Sequence, residues 1–429
     1  MNQELSQRQL SRRELLKATG IAAAGLGILP LVGCGDEDNN SGSSTGAGAA
    51  TETVNVGLLF PLTGVASGFG TPIVDGFQFA FERINEAGGV RTPDGKSLLI
   101  NPVLVDTESS PDVAPRKAEE LGNRSDILAV TGVSQSAAVL QVAQVLARLR
   151  VPFFTSIDAR EELVTSGFNQ TFRITPGFAE APRFIVRAMD ELGKKAGRPM
   201  RRVAIVYHRG VPLVGDVLEE EATALGITVA EKVSYDPQTQ DFSALFVRFK
   251  TDGIDGLILN PLAADAIRAV QAMKQVDFNP LGVGAHAGGF NDAGFVTTLG
   301  SDANNLLTAT WFLPSDNIAG SEAIVAAWKT KHQADLPLLA PLGISGAAVL
   351  ANALARATET SRDALIEAFR TTDMAVGDDG YLLLDGCQFD EHGANTKFRH
   401  VVGQFQDGVV KAVWPEEYAT VDVVWPRQA

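Results

Sequence analysis

The chain has 429 residues, 36 of them basic and 51 acidic, for a formal net charge of −15 at pH 7. That length exceeds what one hydrophobic core usually organises and points to two domains. A surface this acidic repels phosphate backbones and excludes nucleic acid as a partner.

The chain opens with Ser11-Arg12-Arg13-Glu14-Leu15-Leu16-Lys17, followed by an apolar stretch over residues 18–31. The stretch falls short of the roughly 20 apolar residues that span a bilayer. A basic start, a short apolar middle and small residues at the end predict an export signal over residues 1–33. The pair Arg12 and Arg13 points to the twin-arginine (Tat) route. Leu31-Val32-Gly33-Cys34 resembles the bacterial lipoprotein box. That resemblance implies cleavage before Cys34 and lipid on its thiol and new amino group. Removing residues 1–33 leaves 32 basic against 49 acidic residues, a net charge of −17. Residues 34–52 are rich in Asp, Asn, Ser, Gly and Thr without apolar pattern, and read as a flexible tether. A coil of this length reaches roughly 24 Å. The product is expected to be anchored outside the cytoplasm rather than membrane-spanning.

From residue 54 onward, strand and helix patterns alternate. Residues 54–60 form an apolar run typical of a buried parallel strand. Residues 71–87 follow as a helix with Ile73, Phe77, Ala80, Phe81 and Ile84 on one face, ended by Gly88-Gly89. Residues 98–106 read as a strand, and Ser110 with Pro111 as a helix start. Residues 127–131 and 153–155 read as strands around a helix at 136–148. After Phe172-Arg173-Ile174-Thr175-Pro176 the alternation resumes. Strands are expected at 202–207, 227–233, 256–259 and 281–284, with helices at 213–225, 242–250 and 263–275. Three helices follow at 321–333, 342–357 and 361–369. The tail, 381–413, reads as hairpins with turns at Glu391-His392-Gly393 and Gln406-Asp407-Gly408. Such alternation means parallel sheets covered by helices on both faces. The units are too many for one sheet, so the fold class is α/β with two doubly wound lobes.

Catalytic constellations are wanting. His208, His286, His332, His392 and His400 stand at no metal-ligand spacing from one another, so no metal or cofactor is expected. Gly132-Val133-Ser134-Gln135-Ser136 approaches the Gly-x-Ser-x-Gly nucleophile elbow but carries Ser136 where the last glycine belongs. Cys387, the one cysteine beyond Cys34, reads as a packed small hydrophobe. A two-lobed, exported α/β chain of this kind is most simply a binding protein, its ligand lying between the carboxyl ends of two facing sheets.

Several segments carry a family resemblance. Val56-Gly57-Leu58-Leu59-Phe60-Pro61-Leu62-Thr63-Gly64, then Gly68-Phe69-Gly70 and Ile84-Asn85-Glu86-Ala87-Gly88-Gly89, resemble the opening of type I periplasmic solute-binding proteins. The branched-chain amino-acid-binding, leucine-binding-protein-like group of ABC importers is the nearest. The likeness continues through Phe172-Arg173-Ile174-Thr175-Pro176, Asp241-Phe242-Ser243-Ala244-Leu245 and Phe389-Asp390-Glu391-His392-Gly393, and covers nearly everything from Thr53. It implies three crossing segments, near Thr175, at 311–314 and at 377–381. The lobes are then 53–175 with 314–378, and 176–313 with 379–429. It also implies delivery to an ABC permease, with no hydrolysis by the chain itself.

The resemblance also places a site. Gln135 and Ser136 occupy the loop that holds a ligand carboxylate, with a plain helix cap as the alternative for Ser136. Thr155 ends the next strand, where Asp158 either holds a ligand ammonium or caps a turn, and Ala159 replaces a threonine of the family. Phe69 takes the place of a pocket aromatic, against core packing as the alternative. In the second lobe Pro212 replaces an aromatic and Ala285 a carboxylate, leaving Asn260 and His286 as contacts. The expected function is that of a monomeric, lipid-anchored solute-binding protein for an amino acid, amide or small carboxylate. A module feeding a sensor, or an orphan lipoprotein, is the alternative.

Overall fold

The computed structural model describes residues 51–429 except 158–159, 178, 237–238, 287, 314–317, 319 and 429; the side chains of Ser136, Ala137 and Ala293 are also outside the description. The export pair Arg12–Arg13, Cys34 and most of the tether therefore lie outside the described residues.

The first lobe runs β1 (Thr51–Phe60), α1 (Ser67–Glu86), β2 (Val90–Arg91), β3 (Ser97–Asp106), α2 (Val113–Gly122), β4 (Ile127–Gly132), α3 (Ser136–Arg148), β5 (Phe153–Thr155), α4 (Glu162–Thr165) and β6 (Thr171–Arg173). Its sheet has the order β2-β3-β1-β4-β5-β6, parallel except for the short β2. β1 begins at Thr51, two residues inside the expected tether, because Thr51 and Glu52 pair with Ser97 and Leu98. The α1 face reads as expected, with Ile73, Phe77 and Phe81 at most 1% exposed. Ser110 does not cap α2 with its side chain. Its carbonyl accepts from Val113 and Ala114, and the helix starts after Asp112.

The second lobe runs α5 (Glu180–Lys195), β7 (Arg202–His208), α6 (Pro212–Ala224), β8 (Thr228–Tyr235), α7 (Ser243–Thr251), β9 (Gly256–Asn260), α8 (Ala263–Gln275), β10 (Gly282–His286), α9 (Ala293–Leu299) and β11 (Leu307–Thr310). The chain returns to the first lobe as α10 (Ser321–His332), α11 (Ala340–Arg356), α12 (Arg362–Arg370), β12 (Asp373–Met374) and β13 (Cys387–Gln388), and ends as the hairpin β14 (Val401–Gln406) and β15 (Val409–Trp414). The second sheet has the order β15-β14-β11-β10-β9-β7-β8, with β7 to β11 parallel and the hairpin antiparallel.

The lobes repeat one topology. In each, the first parallel strand lies between the second and the third: β3-β1-β4 and β8-β7-β9. Helices after the first and second strands therefore leave on opposite faces. A crevice opens where the order reverses, outside the carboxyl ends of β1/β4 and of β7/β9.

Segments join the lobes between β6 and α5, between β11 and α10, and between Asn395 and β14. The last differs from the expected position at 377–381. Tyr381, Leu382, Leu383, Leu384, Cys387 and Phe389 are buried in the cluster that holds the apolar residues of β1, α1 and α11. Leu382 N–H donates to Ser345 Oγ on α11 at 3.0 Å, and Asn395 Nδ2 donates to the carbonyl of Ile174 at 2.8 Å beside the first crossing. The apolar run that read as part of the second lobe is thus covered by α11 of the first. Cys387 is fully buried there, and burial pushes its thiol far above the usual range, which leaves it inert.

Arg362 at the start of α12 ties this returning segment down. Its guanidinium donates to the carbonyls of Ile127 (3.0 Å), Arg124 (2.8 Å) and Gly122 (3.2 Å). Arg362→Ala strands these carbonyls and is expected to cost about 2–3 kcal/mol, the scale of charge-assisted hydrogen bonds, in urea unfolding.

Candidate functional site

Both switch points carry short polar loops. In the first lobe β4 ends at Gly132, and Val133-Ser134-Gln135 leads into α3. Gln135 is the N-cap residue, in extended conformation (φ −112°, ψ 109°), and its Nε2 donates to the carbonyl of Ser109 at 2.8 Å. That bond ties the β4 loop to the β3 loop. Gln135 Oε1 and Ser134 Oγ are buried without hydrogen-bond partners. Ser136 opens α3, whose first amides point out of the helix end and favour an anion. Next door, Thr155 is fully buried and its hydroxyl sits 3.4 Å from the backbone of Ile157, so it shapes its own turn. Ser156 is 1% exposed with an unpartnered Oγ. Asp158 and Ala159 lie outside the described residues.

Phe69 in the first turn of α1 is half-buried against the first-lobe cluster, so its ring is at least partly a core group. Its neighbour Gly68 marks where the lobes meet. A Cβ at Gly68 would stand 3.0 Å from Oδ2 of Asp292, the residue whose other carboxylate oxygen caps α9 through Gly294 N–H at 2.8 Å.

In the second lobe β9 ends at Asn260 and β10 at His286, 8% and 4% exposed. Asn260 Nδ2 and His286 Nε2 are 3.4 Å apart, while Asn260 Oδ1 and His286 Nδ1 have no partner. Strand alternation settles which β10 residue ends the strand on this side. Val283 and Ala285 sit in one core cluster, whereas a Cβ at Gly284 would meet Met189 and Ile185 of α5 on the opposite face. Ala285 is therefore a core methyl, and His286 is the polar group at the strand end. Pro212 starts α6 and contributes backbone geometry there rather than a ring.

Sequence reasoning passed over three groups. Asp265, in the first turn of α8, is 2% exposed and accepts from Tyr235 OH at 2.9 Å and from Arg268 Nη2. Tyr235 ends β8, 30 residues earlier, so the partnership has no local signal. His208 ends β7; burial lowers its pKa, with Asp265 opposing.

Burial pushes the His286 imidazole down to about 3, and His400 and His208 add to the effect. An unfolded histidine titrates near 6.5. Between these values the unfolded chain binds a proton that the folded chain does not. This group's contribution is therefore complete above about pH 6.5 and is lost as pH falls, by about 1.4 kcal/mol per pH unit. Urea midpoints between pH 4 and 7 should fall less steeply for His286→Gln than for wild type.

Among the described residues no cluster of His, Cys, Asp and Glu could hold a metal, and no helix is long and apolar enough to cross a membrane. The arrangement offers buried hydrogen-bonding groups at the strand ends of both lobes.

The family model described as periplasmic binding protein matches residues 53–399. A Leu/Ile/Val-binding protein homolog 7 of Brucella abortus (strain 2308) is 23% identical over 395 residues, covering 89% of this chain and 96% of that protein. A branched-chain amino acid transporter substrate binding protein of Streptococcus pneumoniae, solved in complex with isoleucine, has a TM-score of 0.72 at 19% identity, covering 85% of this chain and all of that one. A solute-binding protein of R. palustris, solved in complex with benzoate, has a TM-score of 0.71 at 17% identity, covering 87% of this chain and 98% of its own. The doubly wound lobes, their three crossings and a family match over most of the sequence agree: this chain belongs to the periplasmic binding proteins, which bind ligands rather than transform them.

Proposed function

We propose that the chain captures a small carboxylate, an amino acid or a close relative, between its lobes and presents it to an ABC permease. The observation that carries this reading is that the switch point of each lobe holds buried polar atoms without partners: Ser134 and Gln135 in the first, Asn260 and His286 in the second. The first turn of α3, with Gln135 and Ser136, takes the carboxylate at the positive end of the helix. Thr155 shapes the neighbouring loop that carries Asp158, and Phe69 closes the rim beside Gly68. Asn260 and His286 meet the rest of the ligand from the second lobe. Closure about the crossings buries the ligand, and the closed pair of lobes docks on the permease. Relatives named for leucine, isoleucine and valine, and a structural neighbour holding benzoate, agree with a carboxylate as the shared feature. Export directed by Arg12 and Arg13, lipid on Cys34 and a monomer swinging on its tether complete the reading, with the protein at the outer face of a membrane.

A thermal-shift screen of residues 35–429 against amino acids, amides and small carboxylates tests it. A ligand at 100 times its Kd adds about 2.7 kcal/mol, a readable shift. Saturable stabilisation by one chemical class is the expected result. A folded protein that no member of the panel stabilises counts against ligand capture of this kind.

A further inference from the structure

The two ends of the proposed cleft differ in chemistry. The first lobe offers a helix N-terminus, which favours negative charge. The second offers Asn260 and His286, both more than nine-tenths buried and both uncharged at neutral pH. Asp265, the buried carboxylate nearest these strand ends in the chain, is taken by Tyr235 and Arg268.

The 3.4 Å contact between the amide and the imidazole can be made in two ways. In one, Asn260 Nδ2 donates to His286 Nε2. The imidazole proton then sits on Nδ1, and the amide oxygen is left over. In the other, the amide is turned and Nε2 donates to its oxygen. An amide N–H and a bare Nδ1 are then left over. Either assignment leaves at least one donor and one acceptor without a protein partner. An ammonium brings donors alone and a charge with no counter-charge in this pair. A carboxylate brings acceptors alone. A hydroxyl or a primary amide brings both.

We infer that Asn260 and His286 form the specificity-determining pair of the cleft, and that they select a ligand whose second-lobe end is a neutral donor–acceptor group, a hydroxyl or a primary amide, in preference to an ammonium. This rests on the proposed capture of a small carboxylate and names the class it belongs to: hydroxy acids or amide-bearing acids. Unsatisfied buried donors and acceptors are costly, so a group that satisfies both gains on each, whereas a mismatched one leaves at least one stranded.

Calorimetric titration of the mature protein with two matched sets decides it. The first set is leucine, its hydroxy analogue and its deamino analogue isocaproate. The second is γ-aminobutyrate, succinamate and butyrate. The expected result is that, in at least one set, the hydroxyl or amide member binds at least tenfold more tightly than both counterparts. His286→Gln, which keeps a neutral donor–acceptor side chain, should retain that order. Asn260→Leu/His286→Leu, checked for folding by circular dichroism, should lose it. If the double variant does not fold, Asn260→Ala takes its place with the same expectation. An ammonium or plain hydrocarbon member that binds best in both sets overturns the inference and leaves capture of small carboxylates standing. Retention of the order by the folded Leu/Leu or Asn260→Ala protein also overturns it. Should no member of either set bind the folded protein, the carboxylate reading falls and this inference falls with it.

Discussion

Gly132→Ala is expected to weaken binding of whichever ligand the thermal-shift screen identifies by about a hundredfold, roughly 2.7 kcal/mol, while the second lobe keeps its fold. Gly132 is the last residue of β4 and is paired with Leu59 of β1 across the first-lobe switch point. Its φ is +146°, and a Cβ there would stand 2.0 Å from the carbonyl oxygen of Leu59. Both facts act against a side chain. An L-residue rarely adopts this conformation, and the obstructing atom is backbone, which no rotamer can move. The strand end must therefore separate from β1, and the loop 133–135 moves with it. That loop carries Ser134 and Gln135 and positions the first turn of α3, so a displacement on the order of 1 Å misplaces the carboxylate-holding groups. Near-wild-type affinity in a folded Gly132→Ala protein would show that the β4 loop is not part of the site. The same glycine opens the segment that approaches a nucleophile elbow, and its structural duty explains its presence without catalysis.

The alternation of buried strands and amphipathic helices was legible because residues 54–60 of β1, β4 and β9 are largely apolar, buried runs, a pattern that few other structures produce. The Gln135 loop was singled out by the family resemblance and Asn260 by its place after an apolar strand, and the structure puts Gln135 just after β4 and Asn260 at the end of β9. Other features depended on contacts far apart in the chain. The run Tyr381–Leu384 is apolar in either lobe, and only its hydrogen bond to Ser345 and its cover by α11 assign it to the first. Helix α5 was passed over although Ala181, Ile185, Ala188, Met189 and Leu192 recur at helical spacing, because charged residues interrupt the stripe. Asp265 reads locally as an exposed acid in a first helical turn, and its burial depends on Tyr235 and Arg268. The one-residue choice between Ala285 and His286 is a matter of strand parity, which needs the partner strands to fix it.

Gly343→Ala is expected to destabilise the first lobe strongly, costing about 3 kcal/mol or more and lowering the unfolding midpoint by about 6 °C or more. Gly343 lies in α11, where that helix crosses α1. A Cβ at Gly343 would stand 2.0 Å from the carbonyl oxygen of Ile73 and 2.7 Å from the amide nitrogen of Phe77. The contact is reciprocal. A Cβ at Gly76 on α1 would stand 2.1 Å from the carbonyl oxygen of Ala340, and one at Gly346 would meet the Phe77 ring at 2.4 Å. Two helices that approach through glycine pack backbone against backbone, so an added methyl separates whole helices rather than turning one side chain. This crossing supports Phe77, whose ring packs with those of Phe60, Phe81 and Phe154, and thereby β1 and β5 beneath the site loops. Helix propensity runs the other way, since alanine favours a helix interior by about 1 kcal/mol over glycine, and the steric cost must exceed that gain. Gly95→Ala supplies the contrast. Gly95 has φ +86° with no atom near a Cβ, so it carries the conformational cost alone, about 1–2 kcal/mol. Urea unfolding of the two variants side by side separates the terms. A Gly343→Ala protein no less stable than Gly95→Ala would mean that α1 and α11 can move apart at little cost, and that the first-lobe core does not depend on their close approach.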